Sequence, residues 1–508
     1  MTEDFRPVIG KTVIETLTSG MYDDARFVFR EYIQNAADQI DVAFENGVLR
    51  QKSDGKIDIS INREEKKIVI TDNATGIESS QVLRFLGDVA NSQKEKDKRK
   101  GFRGIGRLGG LGYCDRLVFE TSASGESVKS IMSLDAKQLK FLIADASINL
   151  DASAVISIVT NVEKQYSDEK EHYFKITLLN VSPKLLDVDS VRNYLSMVAP
   201  VPFDDQFSFG SEIKKHLKKN NINIDEYSVF VNDVQLYKAY TDKFIDDGVL
   251  SEWLAVDFFD VRDENAELLA IGWFGFREQS NLVLSSKNML KGIRLRKNNI
   301  ALGDEHTLDR FFKAARTNQR IIGEVHAINN NFIPNARRDY FNDNKTLQIF
   351  EEKLTELFAE QNLENRIGHV ASNLHRRLQE IEEYKKAQTK FEQRKGKFDS
   401  QTEEEQFLEN LKVAEVIARK AVSTINKISV KAKEDTRIAT LYHRITADKD
   451  IVISSSKDLS SNIYDPPIFK KLSKSEEKIV VAIIDIIDKS LKPDQAKVLR
   501  EKIIDKFN

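Results

Sequence analysis

The chain has 508 residues, enough for two to four domains, and its 31% charged and 41% hydrophobic content is ordinary for a soluble protein. A formal net charge of −3 gives no global basic footprint for nucleic acid, and the single Cys114 excludes an intramolecular disulfide framework and fits a reducing compartment. The opening MTEDFRPVIG lacks a basic-then-apolar signal pattern and the longest apolar run, Ile479–Ile484, is far too short to span a bilayer, so a cytoplasmic protein without membrane contact is expected.

The first informative stretch is FREYIQNAADQID, residues 29–41. Read as a helix, it places Glu31, Asn35 and Asp38 on one face and turns Val28, Ile33, Ala37 and Ile40 toward a core. A carboxylate and a carboxamide one turn apart suit a magnesium-nucleotide site, because hard cations take oxygen ligands, and the carboxylate can polarise a water. An amphipathic helix with a solvated polar face is the alternative. Residues 67–77, KIVITDNATGI, read as a short strand entering a turn at Asp72–Gly76. Asp72, at the strand end, is placed to accept a hydrogen bond from a ligand amino group, and Gly76 lets a ligand ring approach the backbone. The charged run Gln93–Lys100 follows, and then KGFRGIGRLGGLG, residues 100–112, with Gly101, Gly104 and Gly106 spaced G-x-x-G-x-G. Such a loop exposes N–H groups to phosphates. It is not a dinucleotide fingerprint, because no βαβ pattern surrounds it.

In this order the three elements resemble the N box, first glycine box and second glycine box of the GHKL ATPase superfamily: gyrase, the ninety-kilodalton heat-shock chaperone, histidine kinases and MutL. The resemblance implies ATP and Mg²⁺ as cofactors. It makes Glu31 the general base, Asn35 the Mg²⁺ holder, Asp38 a support and Asp72 the partner of the adenine amino group. Gly101, Gly104 and Gly106 then lie in the phosphate-wrapping loop, and Asn91, Ser92 and Lys94 in a lid over the nucleotide. One departure is Ala74, which stands where the first glycine of D-x-G-x-G is usual and tolerates most turns except those with φ > 0. A second is Tyr173-Phe174, where family members often carry G-T ahead of the strand 174–182.

Further on, residues 292–303, GIRLRKNNIALG, alternate like a strand, and residues 323–341 read GEVHAINNNFIPNARRDYF. A basic strand, then G-x-V, then a Pro-Asn-x-x-Arg loop is similar to the middle domain of the heat-shock chaperone. By that similarity Arg337 or Arg338 reaches the γ-phosphate, with Asn335 shaping the loop. Arginine suits the role because its planar fork grips phosphate oxygens and stays charged.

The expected fold is α/β (α+β) in three blocks: a GHKL α/β sandwich over 1–185, an α/β transducer or middle domain over 186–345, and a helical region over 346–508. In the last block Leu363, Ile367, Val370, Leu374, Leu378, Ile381 and Tyr384 recur at helical steps. Gly396 and Asp399–Ser400 interrupt, and Thr402-x-x-Glu405 reads as a capping box that restarts a second long helix. A connector over Ser454–Pro467 leads to two final helices, beginning at Ser473-x-x-Glu476 and near Pro493, which are expected to serve as dimerisation elements.

The favoured function is a chaperone-like conformational clamp, a slow ATPase acting as a homodimer on a protein client. A DNA-acting MORC/MutL-like clamp in genome maintenance or defence against foreign DNA is the alternative, one that the net charge does not support. A nucleotide-binding scaffold without turnover is the third reading.

Overall fold

A single helical turn, α1 (Thr12–Glu15), precedes the long helix α2 (Phe27–Glu45). Ile57, Ile59 and Ile61 alternate with exposed polar residues along β1 (Lys56–Asn62), and Ile68 and Ile70 are buried at the same spacing along β2 (Lys67–Asp72). That period of two belongs to a sheet with one face on a core. In this computed structural model the described residues are 8–20, 24–88, 106–277, 282–394, 398, 400–447, 449–453, 469 and 472–507. The chain forms two units, residues 1–276 with 281–363, and residues 277–280 with 364–508.

The first sheet continues through β3 (Arg116–Ser122), β4 (Val128–Asp135), β5 (Thr160–Tyr166) and β6 (Tyr173–Leu179). Helices α3 (Ala136–Ala144) and α4 (Ala152–Val159) interrupt it, each begun by an Asp whose carboxylate accepts a first-turn N–H. After α5 (Val188–Val198) and α6 (Phe209–Lys219), β7 (Ser228–Val231) and β8 (Val234–Gln235) return to complete the sheet. The order is β5-β4-β3-β6-β2-β1-β7-β8. Among the described residues of this sheet the β1–β7 pairing alone is parallel, and β7 and β8, two strands from beyond residue 185, extend the sheet. Val28, Ile33, Ala37 and Ile40 of α2 are buried in one core with the isoleucines of β1 and β2, which fixes the opposite stripe of α2 for other use.

The second sheet comprises β9 (Lys243–Asp246), β10 (Val249–Arg262), β11 (Leu268–Arg277), β12 (Gly292–Lys297), β13 (Ile300–Leu302) and β14 (Ile322–Ala327), in the order β13-β12-β14-β11-β10-β9. The short α7 (Ala315–Asn318) precedes β14, and α8 (Lys345–Thr355) follows it. Residues 292–303 are not one strand. Asn298 and Asn299 both take positive φ, +50° and +60°, and fold the segment into the β12–β13 hairpin. Asn tolerates that conformation, which two-residue hairpin turns require at both positions.

Every residue of β14 is buried, and so is its charge. Glu324 accepts from Lys238 Nζ at 2.6 Å, while Arg296 Nε lies 2.6 Å from its other oxygen and His326 Nε2 is 3.2 Å away. Burial alone would raise the Glu324 pKa, but Arg296 and Lys238 outweigh it and hold the carboxyl well below its ordinary range. Arg296 also donates to the carbonyls of Met197 and Ala199, closing the C-terminal end of α5. The network thereby pins α5 to the second sheet.

The other unit is helical: α9 (Leu363–Arg394), α10 (Gln401–Ala432), α11 (Thr436–Thr446), α12 (Lys474–Ser490) and α13 (Pro493–Phe507). Leu374, Ile381, Tyr384 and Phe391 of α9 share a core with Leu411, Ala418, Ala421 and Ile425 of α10. The cap of α10 is Ser400, whose side chain accepts from Glu403 N–H, so the helix starts two residues ahead of the Thr402 box. Ser473 and Glu476 do form a capping box at α12. Gly396, Asp399 and the connector at 454–467 lie outside the described residues. No helix among the described residues is long and apolar enough to cross a membrane.

Glu324→Ala strands two buried cations without their anion. It is expected to destabilise the protein by roughly 3–5 kcal/mol, read as a fall in the urea midpoint.

Candidate functional site

The stripe of α2 turned away from the core carries Arg30, Glu31, Gln34, Asn35 and Asp38. Glu31 is 4% exposed and Asp38 1%, whereas Asn35 is half-buried. Arg338 Nε lies 2.9 Å from Glu31 Oε1, and Arg30 Nη2 3.6 Å from the same oxygen. Arg337, the neighbour in sequence, is exposed, and its carbonyl accepts from Arg30 Nη2 at 3.4 Å. The two arginines part because Arg338 has φ of +56°, a left-handed conformation that costs a non-glycine residue about 1–2 kcal/mol. Such strain persists only where the surroundings enforce it.

Asp72 ends β2 with its carboxyl buried and accepts from Ala74 N–H at 3.1 Å. Burial pushes its pKa up to about 7, offset in part by that hydrogen bond. A buried acid with lone pairs left over is suited to a ligand amino group. Ala74 is itself fully buried and is not among the residues with positive φ, so the turn makes no demand for glycine at this position. Its carbonyl lies 2.7 Å from His172 Nδ1, which therefore donates. Gly76 does have positive φ, +66°, and a Cβ there would lie 1.8 Å from the Ser122 carbonyl oxygen. The close approach that Gly76 makes is to the backbone of β3.

Gly106–Gly112 forms a short 3₁₀ segment laid along the N-terminal half of α2. Its glycines fit against that helix one by one. A Cβ on Gly106 would sit 2.3 Å from Glu31 Oε2, one on Gly109 would sit 3.0 Å from the Phe27 ring, and one on Gly110 would sit 2.5 Å from the Tyr32 hydroxyl. Tyr32 Oη donates to the Arg107 carbonyl at 3.0 Å and accepts from Gly110 N–H at 3.2 Å, so the residue next to Glu31 ties down the glycine-rich segment. Arg107 Nε donates to the Leu86 carbonyl at 3.2 Å. Asn91, Ser92, Lys94, Gly101 and Gly104 lie outside the described residues.

Of the residues singled out in the sequence, Glu31, Gly106 and Arg338 meet at one point, and Asn35 and Asp38 share their helix face. Arg30, Tyr32 and Gln34 carried no signal there. Gln34 is 2% exposed, and its Oε1 has no hydrogen-bond partner among the described residues. A buried, unsatisfied carboxamide oxygen beside Glu31 fits a site that takes a polar ligand or water. Among the described residues no group of three or more His, Cys, Asp or Glu builds a cation cage. A hard cation at Asn35 would therefore draw most of its ligands from phosphate oxygens and water, as Mg²⁺ commonly does.

An eight-stranded sheet packed on α2, with an acid on that helix, an acid at the end of β2 and a glycine segment laid along the helix, defines a GHKL-type domain. Residues 27–168 match the family described as "Histidine kinase-, DNA gyrase B-, and HSP90-like ATPase". Curated relatives are chaperone proteins HtpG, and the chain resembles that ninety-kilodalton heat-shock family. The protein of Psychrobacter cryohalolentis is 26% identical over 179 residues, 32% of this chain and 26% of its own length. That of Buchnera aphidicola subsp. Cinara cedri is 25% identical over 225 residues, 41% and 33%. The Clostridium perfringens protein is 28% identical over 244 residues, 46% and 30%. The chain thus spans a third or less of the length of these relatives.

Two outcomes test the geometry. Because the folded Asp72 keeps a proton that the unfolded chain has lost between pH 3.8 and about 7, its burial costs stability increasingly as pH rises through that window. Asp72→Asn is therefore expected to raise the melting temperature of the ligand-free protein at pH 8, and the gain should vanish near pH 4. Tyr32→Phe leaves a buried N–H and carbonyl without their partner and should destabilise by about 1–3 kcal/mol in urea unfolding.

Proposed function

We propose that the chain binds ATP with Mg²⁺ and hydrolyses it slowly, as a chaperone-like conformational clamp. The observation that carries this reading is the 2.9 Å contact between Arg338, in the loop after β14, and Glu31 on the nucleotide-domain helix. It supports a site assembled from both sheets, in which hydrolysis waits on the second sheet's loop.

The roles follow from the chemistry of each group. Glu31 takes a proton from the attacking water, and the carboxamide of Gln34 is one turn away to orient it. Asp72 accepts from the amino group of adenine. Asn35 holds Mg²⁺, which supplies charge neutralisation on the phosphates, and Asp38 supports the helix face. Gly106, which lacks a side chain to stand between Glu31 and the phosphates, keeps the approach open. Arg338 is the arginine that leaves Glu31 for the γ-phosphate as charge develops there, and Arg337 stays outside. Asn91, Ser92, Lys94, Gly101 and Gly104 complete the phosphate loop and lid in this reading.

The clamp is proposed to work as a homodimer closing on a protein client. Ile479, Ile483 and Ile486 lie at four- and three-residue steps along α12 and are 61%, 45% and 62% exposed, an apolar stripe that supports a helical partner. In domain terms the reading assigns nucleotide binding to 1–185, transduction to 186–345 and association to 346–508.

Steady-state ATP turnover and fluorescent-nucleotide binding, measured together, test the proposal. Glu31→Ala is expected to bind nucleotide and lose turnover, and Asp72→Asn to lose binding. Arg338→Ala should lower turnover by at least about tenfold, while Arg337→Ala stays within about twofold. Wild-type turnover in Arg338→Ala would show that the loop arginine has no part in hydrolysis.

A further inference from the structure

Arg338, whose guanidinium lies against Glu31, has a left-handed backbone, and its carbonyl is met by a residue 35 positions earlier in the chain. Gly303 follows β13 directly, and its N–H donates to the Arg338 carbonyl at 3.0 Å. Gly303 itself has φ of +64°, and a Cβ there would lie 2.0 Å from Thr307 Oγ1 and 2.7 Å from the carbonyl oxygen of Asp339. The Thr307 hydroxyl has little room to retreat, since it accepts from Asp304 N–H at 2.8 Å. From the other side, Arg338 N–H donates to the Asn335 carbonyl at 3.2 Å, and Asn335 N–H to the Tyr340 carbonyl at 2.9 Å.

We propose that Gly303 is the positioning residue for Arg338: its N–H fixes the arginine's peptide, and its missing side chain lets the loop seat closely enough for the guanidinium to reach Glu31. A residue with any Cβ must push the Asp339 carbonyl outward, and the peptide between Arg338 and Asp339 moves with it. The contacts of Gly303 run to Arg338, Asp339 and Thr307, so in this proposal it acts through Arg338. The inference rests on the ATPase reading for its consequence in turnover, but the positioning itself is readable without nucleotide.

The experiment is a double-mutant cycle in urea unfolding, with no nucleotide present, on Glu31→Ala, Arg338→Ala and their combination. It is run in the wild-type background and again in Gly303→Ala. In the wild-type background the two changes should be coupled by roughly tenfold in the unfolding constant. With Gly303→Ala the coupling should fall to within about twofold. Gly248→Ala is the control for generic turn strain, since Gly248 has φ of +81° with nothing near its missing Cβ. It should leave the coupling intact. If Gly303→Ala alone does not accumulate as folded protein, Gly303→Ala/Thr307→Ala removes the hydroxyl collision, retains the one with Asp339, and carries the same expectation. Coupling that survives in the Gly303 variant overturns the proposal, as does coupling absent from the wild-type background or lost equally in Gly248→Ala. In turnover assays Gly303→Ala should match Arg338→Ala at unchanged nucleotide affinity, and the two together should be no worse than either. A wild-type protein without turnover would refute the ATPase reading and leave the unfolding cycle to decide on Gly303.

Discussion

A carboxylate withdrawn from water needs positive charge beside it, and much of this fold can be traced to how Glu31 meets that need. The nearest cation comes from a loop more than three hundred residues away in sequence, Arg338 at 2.9 Å, with Arg30 of its own helix behind. Because both charges are buried, separating them leaves each in a medium that solvates it poorly. The two sheets are therefore coupled electrostatically as well as by packing. Any ligand that offers Arg338 a better anion than Glu31 acts on that coupling directly.

Shape constraints run alongside the charge constraint. The 3₁₀ segment Gly106–Gly112 lies against α2 with glycine opposite Glu31, Phe27 and Tyr32, and a methyl group at any of the three would make that side chain shift. The Tyr32 hydroxyl then satisfies two backbone groups of that segment. The segment is thus fixed by absence of side chains at some positions and by one hydrogen-bonding side chain at another. The network around Glu324 plays a corresponding part at the other joint, where Arg296 spans from β14 to the end of α5.

Much of this was legible in the sequence, and what was not has identifiable causes. Helical periodicity is local, so the common face of Glu31, Asn35 and Asp38 could be read from spacing alone, as could the short strand leading to Asp72 and the capping box at Ser473. Which of Arg337 and Arg338 meets Glu31 could not. Adjacent residues point in directions set by the backbone, and the backbone of Arg338 is left-handed beside a partner distant in sequence, Gly303. The Asn-Asn turn of the β12–β13 hairpin was a local signal, overlooked because apolar alternation ran through it on both sides. Tyr32 reads as one more aromatic on a core helix, and nothing in its neighbours says that its hydroxyl will meet Arg107 and Gly110. The parallel pairing of β1 with β7 joins residues about 170 positions apart, and no short window contains it.

Ala74 carries a consequence for the unfolded chain. At a position where the turn runs with ordinary φ, alanine has fewer conformations to surrender on folding than glycine, a difference worth about 0.4–1 kcal/mol in favour of the folded state. The corner after Asp72 is therefore stiffened before any ligand arrives, and entropy that a more flexible turn would lose on binding has already been lost on folding.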